Sequence, residues 1–268
     1  MASKNRRRQI VKTLISLCAF AVIASANQPV FAQTDSTNPD AAFARAMQLH
    51  ESGDIEGAIR GYQAILASHP ARADVRSNLG AAYSRLGRYE EAIEQYKRAL
   101  VIDYRNQTIR FNLALAYYKA AWFAESASEL TQFLAATSKE LPQRQTAILL
   151  LADCQVRLGE YKKVIEMLGP LTEADANNRT LAYLLGSALV GDGQVKKGQE
   201  LIDRVFRGED SAEARLLIGS ILLLADDGQN AIKELERALE LNPKLPALHA
   251  WYGRALMRMG DPEKAKDA

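Results

Sequence analysis

The sequence predicts an all-α fold, a solenoid of about seven stacked helical hairpins of which the last is incomplete. Two series of small residues, set twelve positions apart, predict it. The first is Ala46, Gly80, Ala114, Ala152, Gly186, Gly219 and Gly253, and the second is Ala58, Ala92, Ser126, Val164, Gly198, Ala231 and Ala265. Both repeat at intervals of 34, 34, 38, 34, 33 and 34 residues, so one unit of chain recurs with one insertion and one deletion.

The second unit shows how each hairpin is built. Apolar residues recur at spacings of three and four on both sides of Gly87, which predicts two amphipathic helices joined at a glycine turn. The small residues are expected where the helices cross, because a larger side chain there would hold the backbones apart. Large residues are expected to fill the flanking spaces: Leu79, Leu113, Leu151, Leu185 and Ile218 in one slot, and Tyr62, Tyr96, Leu130, Leu168, Ile202 and Leu235 in another.

The turns inside the hairpins are expected at Gly53, Gly87, Gly159, Gly193 and Gly260. In the third and sixth units, Ala121 and Asp226 take the place of the glycine. These two turns are therefore predicted to be less regular than the others. The 38-residue interval places four extra residues near 139–144, which predicts a longer connection between the third and fourth units.

The second unit resembles the tetratricopeptide repeat in Asn78-Leu79-Gly80, Tyr83, Leu86-Gly87-Arg88-Tyr89, Ala92 and Ala99-Leu100. The resemblance covers residues 39–268 and implies a right-handed superhelix of stacked hairpins. Its units would lie at about 39–72, 73–106, 107–140, 145–178, 179–211, 212–245 and 246–268. It also implies a concave groove, lined by the first helix of each hairpin, that holds a peptide or helix of a protein partner.

Residues 1–32 have the three-part layout of a secretory signal peptide. A basic start precedes an apolar run from Leu14 to Ala26, and the residues up to Ala32 match a signal-peptidase site, so cleavage is expected after Ala32. A polar leader, 33–38, follows the expected cleavage site. The run is shorter than the roughly 20 residues that a membrane-spanning helix needs, so no membrane insertion is expected after cleavage. The predicted location is periplasmic or secreted, and the alternative is an uncleaved N-terminal membrane anchor facing the periplasm.

Charge and cysteine content narrow the classes of partner. Removal of residues 1–32 takes away five positive charges and no negative ones, so the net charge of +2 becomes −3. No nucleic-acid partner is expected, because such binding depends on neutralising phosphates. Only Cys154 remains after cleavage, which excludes an intramolecular disulfide.

The resemblance places candidate partner-binding residues on the first helices of the hairpins. They are Phe43, Met47, Asn78, Phe111, Asn112, Leu115, Tyr118, Leu149, Asp153, Tyr183, Ser187 and Leu216. This set has an apolar floor with scattered polar groups, which suits the anchoring of apolar side chains. The alternative for each apolar member is packing between adjacent hairpins.

One subset of the family grips a client's C-terminal carboxylate with a clamp of lysine, arginine and asparagine. Asn78 and Asn112 match its asparagine slot. However, Phe43, Met47 and Thr108 stand where the clamp needs other residues. The sequence therefore predicts that no such clamp is assembled.

Residue patterns for catalysis are missing from the sequence. His50, His69 and His249 belong to different units, and none has the spacing of a zinc site. The segment 191–193 lacks the lysine and hydroxyl residue of a phosphate-binding loop. Cys154 lies among apolar residues without a base beside it. The sequence thus predicts no metal, no cofactor and no enzymatic activity.

The function that the sequence favours is a non-enzymatic scaffold or adaptor of the bacterial cell envelope, with a protein or peptide partner in the concave groove. The alternative is a regulatory or partner-binding region of a larger enzyme or enzyme complex, because the seventh unit stops at Ala268 within its second helix. Self-association through the apolar end surfaces of the solenoid is open as well.

Overall fold

The structure is a computed structural model that describes residues 38–175, 177–206, 210–245 and 247–267, apart from the side chains of 205, 206, 266 and 267. The predicted signal peptide and residues 33–37 of the leader lie outside the described residues. The described ranges form helices and turns and contain no strand. The helices are α1 (Pro39–Ser52), α2 (Ile55–Ser68), α3 (Ala73–Arg85), α4 (Tyr89–Ile102), α5 (Gln107–Lys119), α6 (Phe123–Ala136), α7 (Gln143–Arg157), α8 (Tyr161–Ala174), α9 (Arg179–Gly191), α10 (Val195–Phe206), α11 (Ala212–Leu224), α12 (Gly228–Leu241), α13 (Leu248–Arg258) and α14 (Pro262–Asp267).

Several of the first helices begin at a residue that caps them. Asn106, Asn178 and Ser211 each accept a hydrogen bond from the third backbone N–H of the helix that follows. Asn38 accepts two such bonds at the start of α1. These side chains satisfy N–H groups that have no partner inside the helix, and so they fix where α1, α5, α9 and α11 start.

Consecutive helices pack in pairs, from α1 with α2 to α13 with α14, and each pair packs on the next. The predicted all-α solenoid of stacked hairpins is confirmed. The small residues of both series are buried in the first six hairpins and half-buried in the seventh, at Gly253 and Ala265.

The helix crossings explain why the small residues recur. A methyl group on Gly80 would lie 2.9 Å from the Tyr96 ring, and one on Gly186 would lie 2.5 Å from Cδ1 of Ile202. The residue sixteen positions later therefore fills the space that the glycine leaves. Where Ser126 replaces alanine, its hydroxyl donates a hydrogen bond of 2.9 Å to the carbonyl oxygen of Ala114, so the buried polar group is satisfied.

The turns without glycine are as regular as the others, and the prediction for them was wrong. Ala121 has φ 61° and Asp226 has φ 66°, in the left-handed region that Gly87 occupies at φ 74°. The N–H of Ala121 donates to the carbonyl oxygen of Tyr118 at 3.1 Å, as that of Gly87 does to Ser84. The two hydrogen bonds that close each turn therefore outweigh the strain of a side chain in this conformation.

The four extra residues between the third and fourth hairpins divide between loop and helix. The connection 137–142 has six residues where 103–106 has four, and α7 has 15 residues where α5 and α9 have 13. Nη1 of Arg144 donates to the carbonyl oxygens of Leu134 at 2.6 Å and Thr137 at 3.1 Å. The insertion is thereby tied to the end of the preceding helix.

Candidate partner-binding groove

A groove of about 930 Å³ runs over the first helices of the last four hairpins, α7, α9, α11 and α13. Its apolar lining includes Tyr183, Leu216, Leu224 and Trp251. Tyr183 is 39% exposed and Leu224 is 53% exposed, although both are large apolar residues. Exposed apolar side chains that gather in a concave surface are typical of a surface that binds another molecule.

Small side chains form the floor of this groove. Ser187 on α9 and Ser220 on α11 line it and are buried. The hydroxyl of Ser220 donates a hydrogen bond of 2.8 Å to the carbonyl oxygen of Leu217, within its own helix. Because serine occupies little volume, the space above α9 and α11 stays open.

An aromatic and charged cluster forms one end of the groove. The Tyr118 hydroxyl donates to Oδ2 of Asp153 at 2.7 Å, and Nε of Arg157 donates to the same oxygen at 2.8 Å. The Arg157 guanidinium lies over the Phe123 ring, 4.9 Å from its centroid. Burial, followed by the hydrogen bond to Asp153, raises the pKa of Tyr118 to about 12. The cluster therefore holds one ion pair and one neutral phenol at neutral pH, and both arginine and tyrosine are fixed in place.

Tyr161 enters the groove from a second helix. Its ring lies against the backbone of Gly191, where an added Cβ would be 2.5 Å from the Cε1 and Cζ atoms of the ring. Both residues line the groove. A glycine at the end of α9 is thus what allows the ring to lie flat against that helix.

Four of the predicted site residues meet in this groove: Asp153, Tyr183, Ser187 and Leu216. Tyr118 is joined to them through Asp153. Burial raises the pKa of the Tyr183 hydroxyl, so this side chain is a neutral phenol at neutral pH. These five residues lie on the first helices of four consecutive hairpins, the third to the sixth, as the repeat register requires.

Most of the other apolar candidates pack against the core. Phe43 and Met47 lie against the buried cluster of the first three hairpins, and the Phe43 ring centroid is 6.0 Å from that of Tyr62. Phe111 packs against Phe133 at 5.1 Å between ring centroids. The structure does not bring these residues into the groove.

The remaining candidates are Asn78, Asn112, Leu115 and Leu149, and all four are half-buried. Nδ2 of Asn78 donates a hydrogen bond of 3.0 Å to the carbonyl oxygen of Asp74, so the amide is engaged with its own helix. Leu149 packs against the core of the fourth and fifth hairpins. None of the four lines the groove over α7 to α13.

The sequence reasoning missed the contributions of Tyr161, Leu224 and Trp251 to the groove. Tyr161 belongs to the second helix of its hairpin, which the family geometry places on the convex side. Its position is signalled only by Gly191, thirty residues later, where a small residue falls outside both series. Leu224 is the last residue of α11 and Trp251 lies in the first turn of α13, and both line the groove.

Within the ranges that the structure covers, no group of three or more histidine, cysteine, aspartate or glutamate residues is placed to hold a metal ion. Cys154 is buried, and this burial raises the pKa of its thiol.

None of the described helices is both long and apolar enough to cross a membrane.

Comparisons with known proteins agree on the repeat. Family models described as TPR repeat and tetratricopeptide repeat match residues 82–120 and 222–268. A search of curated protein sequences gave no significant match. A search of solved structures gave 312 matching chains.

Three of these structures illustrate the similarity. A tetratricopeptide repeat protein from Parabacteroides merdae ATCC 43184 has a TM-score of 0.70 and 16% identity, over 85% of this chain and 89% of that chain. PilW, described as a widely conserved type IV pilus biogenesis factor, has a TM-score of 0.58 and 18% identity, over 79% and 97%. PilF of Pseudomonas aeruginosa has a TM-score of 0.54 and 18% identity, over 80% and 94%. At these identities the similarity shows the fold alone.

Proposed function

Because the chain is a tetratricopeptide-repeat protein, we propose that it is a non-enzymatic scaffold that binds a protein partner in the groove over α7, α9, α11 and α13. We place this activity in the bacterial cell envelope. The groove is the observation that carries the proposal, since it gathers exposed and half-buried apolar side chains from four consecutive hairpins on one concave surface.

The groove offers both affinity and orientation. Tyr183, Leu216 and Trp251 present apolar surface that a partner would cover, and removal of such surface from water drives association. Arg157 and Asp153 stand at one end, held by hydrogen bonds that fix their geometry. Apolar contacts along the floor would therefore provide affinity, and the charged end would fix the position of the partner along the groove.

The envelope location rests on the first 32 residues, which combine a basic start, a short apolar run and a cleavage site after Ala32. To test it, residues 1–32 are fused to an alkaline phosphatase that lacks its own signal. We expect this fusion to show phosphatase activity. When residues 1–32 are followed by the natural chain instead, we expect the mature product to begin at Gln33. A Phe20→Lys fusion is the control, since a charge in the apolar run should abolish export. An inactive parent fusion would refute the location.

Partner binding is tested by a photoreactive amino acid placed in the groove. We expect Tyr183 replaced in this way to give a discrete crosslinked product in cells. The matched control is Leu171 on α8, which is 37% exposed against 39% for Tyr183 and lies outside the groove.

The crosslink from position 183 should disappear when Leu216→Asp is added, because a buried charge at the contact would oppose apolar association. Circular dichroism must show that this variant is still folded. Products of equal yield from positions 183 and 171, or a product that survives Leu216→Asp in a folded protein, would contradict binding in the groove.

A further inference from the structure

Three large apolar side chains stand out from the end of α4 and the turn after it. Val101 is 84% exposed, Ile102 is 41% exposed and Tyr104 is 63% exposed. Single exposed apolar residues are common on protein surfaces, but three within four positions form a continuous apolar surface in contact with water. Val101, Ile102 and Tyr104 are called the α4 patch below.

The α4 patch departs from the chain's own repeat. At the register of Val101, the other complete hairpins carry small or charged residues: Ala67, Ala135, Glu173, Arg207 and Glu240. Tyr104 stands where the first and sixth hairpins have Pro70 and Pro243. Helix packing therefore does not require an apolar side chain at these two positions, and their exposure indicates a contact outside the chain.

Basic side chains border the α4 patch. Residues three and four positions apart share one face of a helix, so Lys97 and Arg98 lie beside Val101 on the exposed side of α4. The Arg105 guanidinium lies over the Tyr104 ring, 5.2 Å from its centroid. Apolar side chains at the centre and cations at the rim are typical of protein surfaces that rest on lipid headgroups.

The local charge is positive although the chain as a whole is acidic. The segment 97–105 has three basic residues and one acidic residue, whereas the chain without residues 1–32 has a net charge of −3. The acidic residue, Asp103, accepts a hydrogen bond of 2.9 Å from Nδ2 of Asn106. Arg98 pairs with Glu94 at 2.7 Å, and both side chains are about half exposed. Such an exposed pair is weak, so a phosphate group can compete for the guanidinium.

We propose that the α4 patch is a membrane-contact site, where the chain rests on the surface of a bilayer that contains anionic phospholipids without spanning it. Val101 and Ile102 would enter the boundary between headgroups and acyl chains, and Tyr104 would keep its hydroxyl in water. The basic rim would approach the phosphates. The contact is independent of groove binding, because the patch lies on the second hairpin and the groove spans the fourth to the seventh.

The size and exposure of the α4 patch favour a lipid surface over a folded protein partner. A stable protein interface covers about 800 Å² on each side. An aromatic side chain buries at most about 250 Å², and even three side chains of that size would fall short of such an area. Val101 and Tyr104 also protrude, since both are more than half exposed. A fluid bilayer accommodates protruding side chains without a matching pocket.

Flotation with lipid vesicles tests the proposal. The chain that begins at Gln33, the expected product of cleavage, is used because the apolar run 14–26 would bind lipid by itself. Vesicles of equal parts phosphatidylglycerol and phosphatidylcholine are compared with vesicles of phosphatidylcholine alone. At low salt, we expect the neutral vesicles to bind at least about threefold less of the chain. About 0.5 M salt should weaken binding to the anionic vesicles by a similar factor.

Two positions offer a matched pair of variants. Ile102 and Leu241 are the last residues of α4 and α12, share one register, and are 41% and 38% exposed. Ile102→Glu should lower binding to the anionic vesicles at least about tenfold, because a carboxylate would replace an apolar contact and repel the phosphates. Leu241→Glu makes the same change of charge away from the patch and should leave binding within about twofold.

Val101→Glu is a second variant for the case in which Ile102→Glu does not fold. It introduces the residue that the fourth and sixth hairpins already carry at this register, Glu173 and Glu240. Because Val101 is 84% exposed, the fold should be unchanged, which circular dichroism establishes. We expect the same tenfold loss of vesicle binding.

Three results would overturn the membrane contact: no flotation of the parent chain with anionic vesicles, equal flotation with neutral ones, or equal binding by folded Val101→Glu and Leu241→Glu variants. A parent chain that binds no lipid but forms a dimer in sedimentation, which Val101→Glu dissociates, would make the patch an interface between copies instead. Each of these results leaves groove binding intact, since that depends on the crosslink from position 183.

Discussion

The first three hairpins and the last four share one repeat, yet they use their concave sides differently. At the start of the solenoid, Phe43 and Met47 pack against the core, and Nη1 of Arg85 donates to the carbonyl oxygen of His50 at 3.0 Å. Over α7 to α13, the equivalent surface opens into the apolar groove. The comparison teaches that the repeat fixes where a concave surface lies, while individual side chains decide whether it is open.

Side-chain size explains much of this difference. The helix crossings of the second and fifth hairpins are filled by Tyr96 and Ile202 respectively. On the concave side, Ser187 and Ser220 leave space above the later helices. An aromatic side chain therefore fills the crossing of the second hairpin, and small polar side chains leave the groove open in the fifth and sixth.

The largest expected effect comes from the aromatic core of the first half. Tyr96→Ala should lower the free energy of unfolding by about 3–5 kcal/mol, because a buried ring that fills the Gly80 crossing is lost. Urea denaturation followed by circular dichroism measures it. Tyr104→Ala is the control, since Tyr104 is 63% exposed and should cost less than about 0.5 kcal/mol. Equal losses for the two variants would contradict an aromatic core.

The next effect concerns the ion pairs that join the two helices of a hairpin. Nη1 of Arg110 lies 2.6 Å from Glu129, and the side chains are 16% and 20% exposed. Arg110→Ala should cost about 2 kcal/mol, between the values for buried and exposed pairs. The Arg215 pair with Glu234 in the second half is 30% and 26% exposed, so Arg215→Ala should cost less.

Urea denaturation of both arginine variants at low and high salt provides the measurement. Arg98→Ala is the control, because Arg98 and Glu94 are 57% and 49% exposed and their pair should contribute below about 0.5 kcal/mol. If Arg215→Ala lowered the free energy of unfolding more than Arg110→Ala, the expected difference between the less exposed pair of the first half and the more exposed pair of the second would be contradicted.

Where the two halves meet, one buried polar group is unsatisfied. Oε1 of Gln155 has no hydrogen-bond partner among the described residues, and the equivalent positions hold Tyr117 before it and Leu189 after it. Gln155→Leu should raise the free energy of unfolding by about 1–2 kcal/mol, because an unpaired buried acceptor is removed. Thermal and urea melts measure the gain. A loss of stability would mean that the amide has a polar partner.

The smallest expected effect is at a turn. Ala121→Gly should stabilise the chain by about 0.5–1 kcal/mol, because glycine adopts a positive φ without the penalty that alanine carries. Ala120→Gly is the matched control, since Ala120 has φ −78° and glycine there gains nothing. Equal effects of the two substitutions on the urea midpoint would contradict strain at position 121.

The sequence predicts the fold well because small residues at helix crossings recur with a fixed period, and their reason is steric. Gly80 and Gly186 show this directly. The turns at Ala121 and Asp226 were predicted less well, because hydrogen bonds to the preceding helix hold them in a conformation that sequence preference disfavours.

The groove is predicted less completely than the fold. Register alone selects Tyr183 and Leu216, but it also selects Phe43 and Phe111, which pack inward. Which of these faces the open side depends on neighbours sixteen or more residues away. The entry of Tyr161 from a second helix depends on Gly191 in the next hairpin, and a single-unit pattern does not contain that information.

The contact between Gly191 and the Tyr161 ring makes the shape of the groove sensitive to substitution at position 191. Because a methyl group there would come within 2.5 Å of the Tyr161 ring, one nucleotide substitution that creates alanine would turn the ring away from α9 and reshape the cleft. A single substitution at position 191 would thus change the shape of the groove while Tyr183, Leu216 and Trp251 keep their identities.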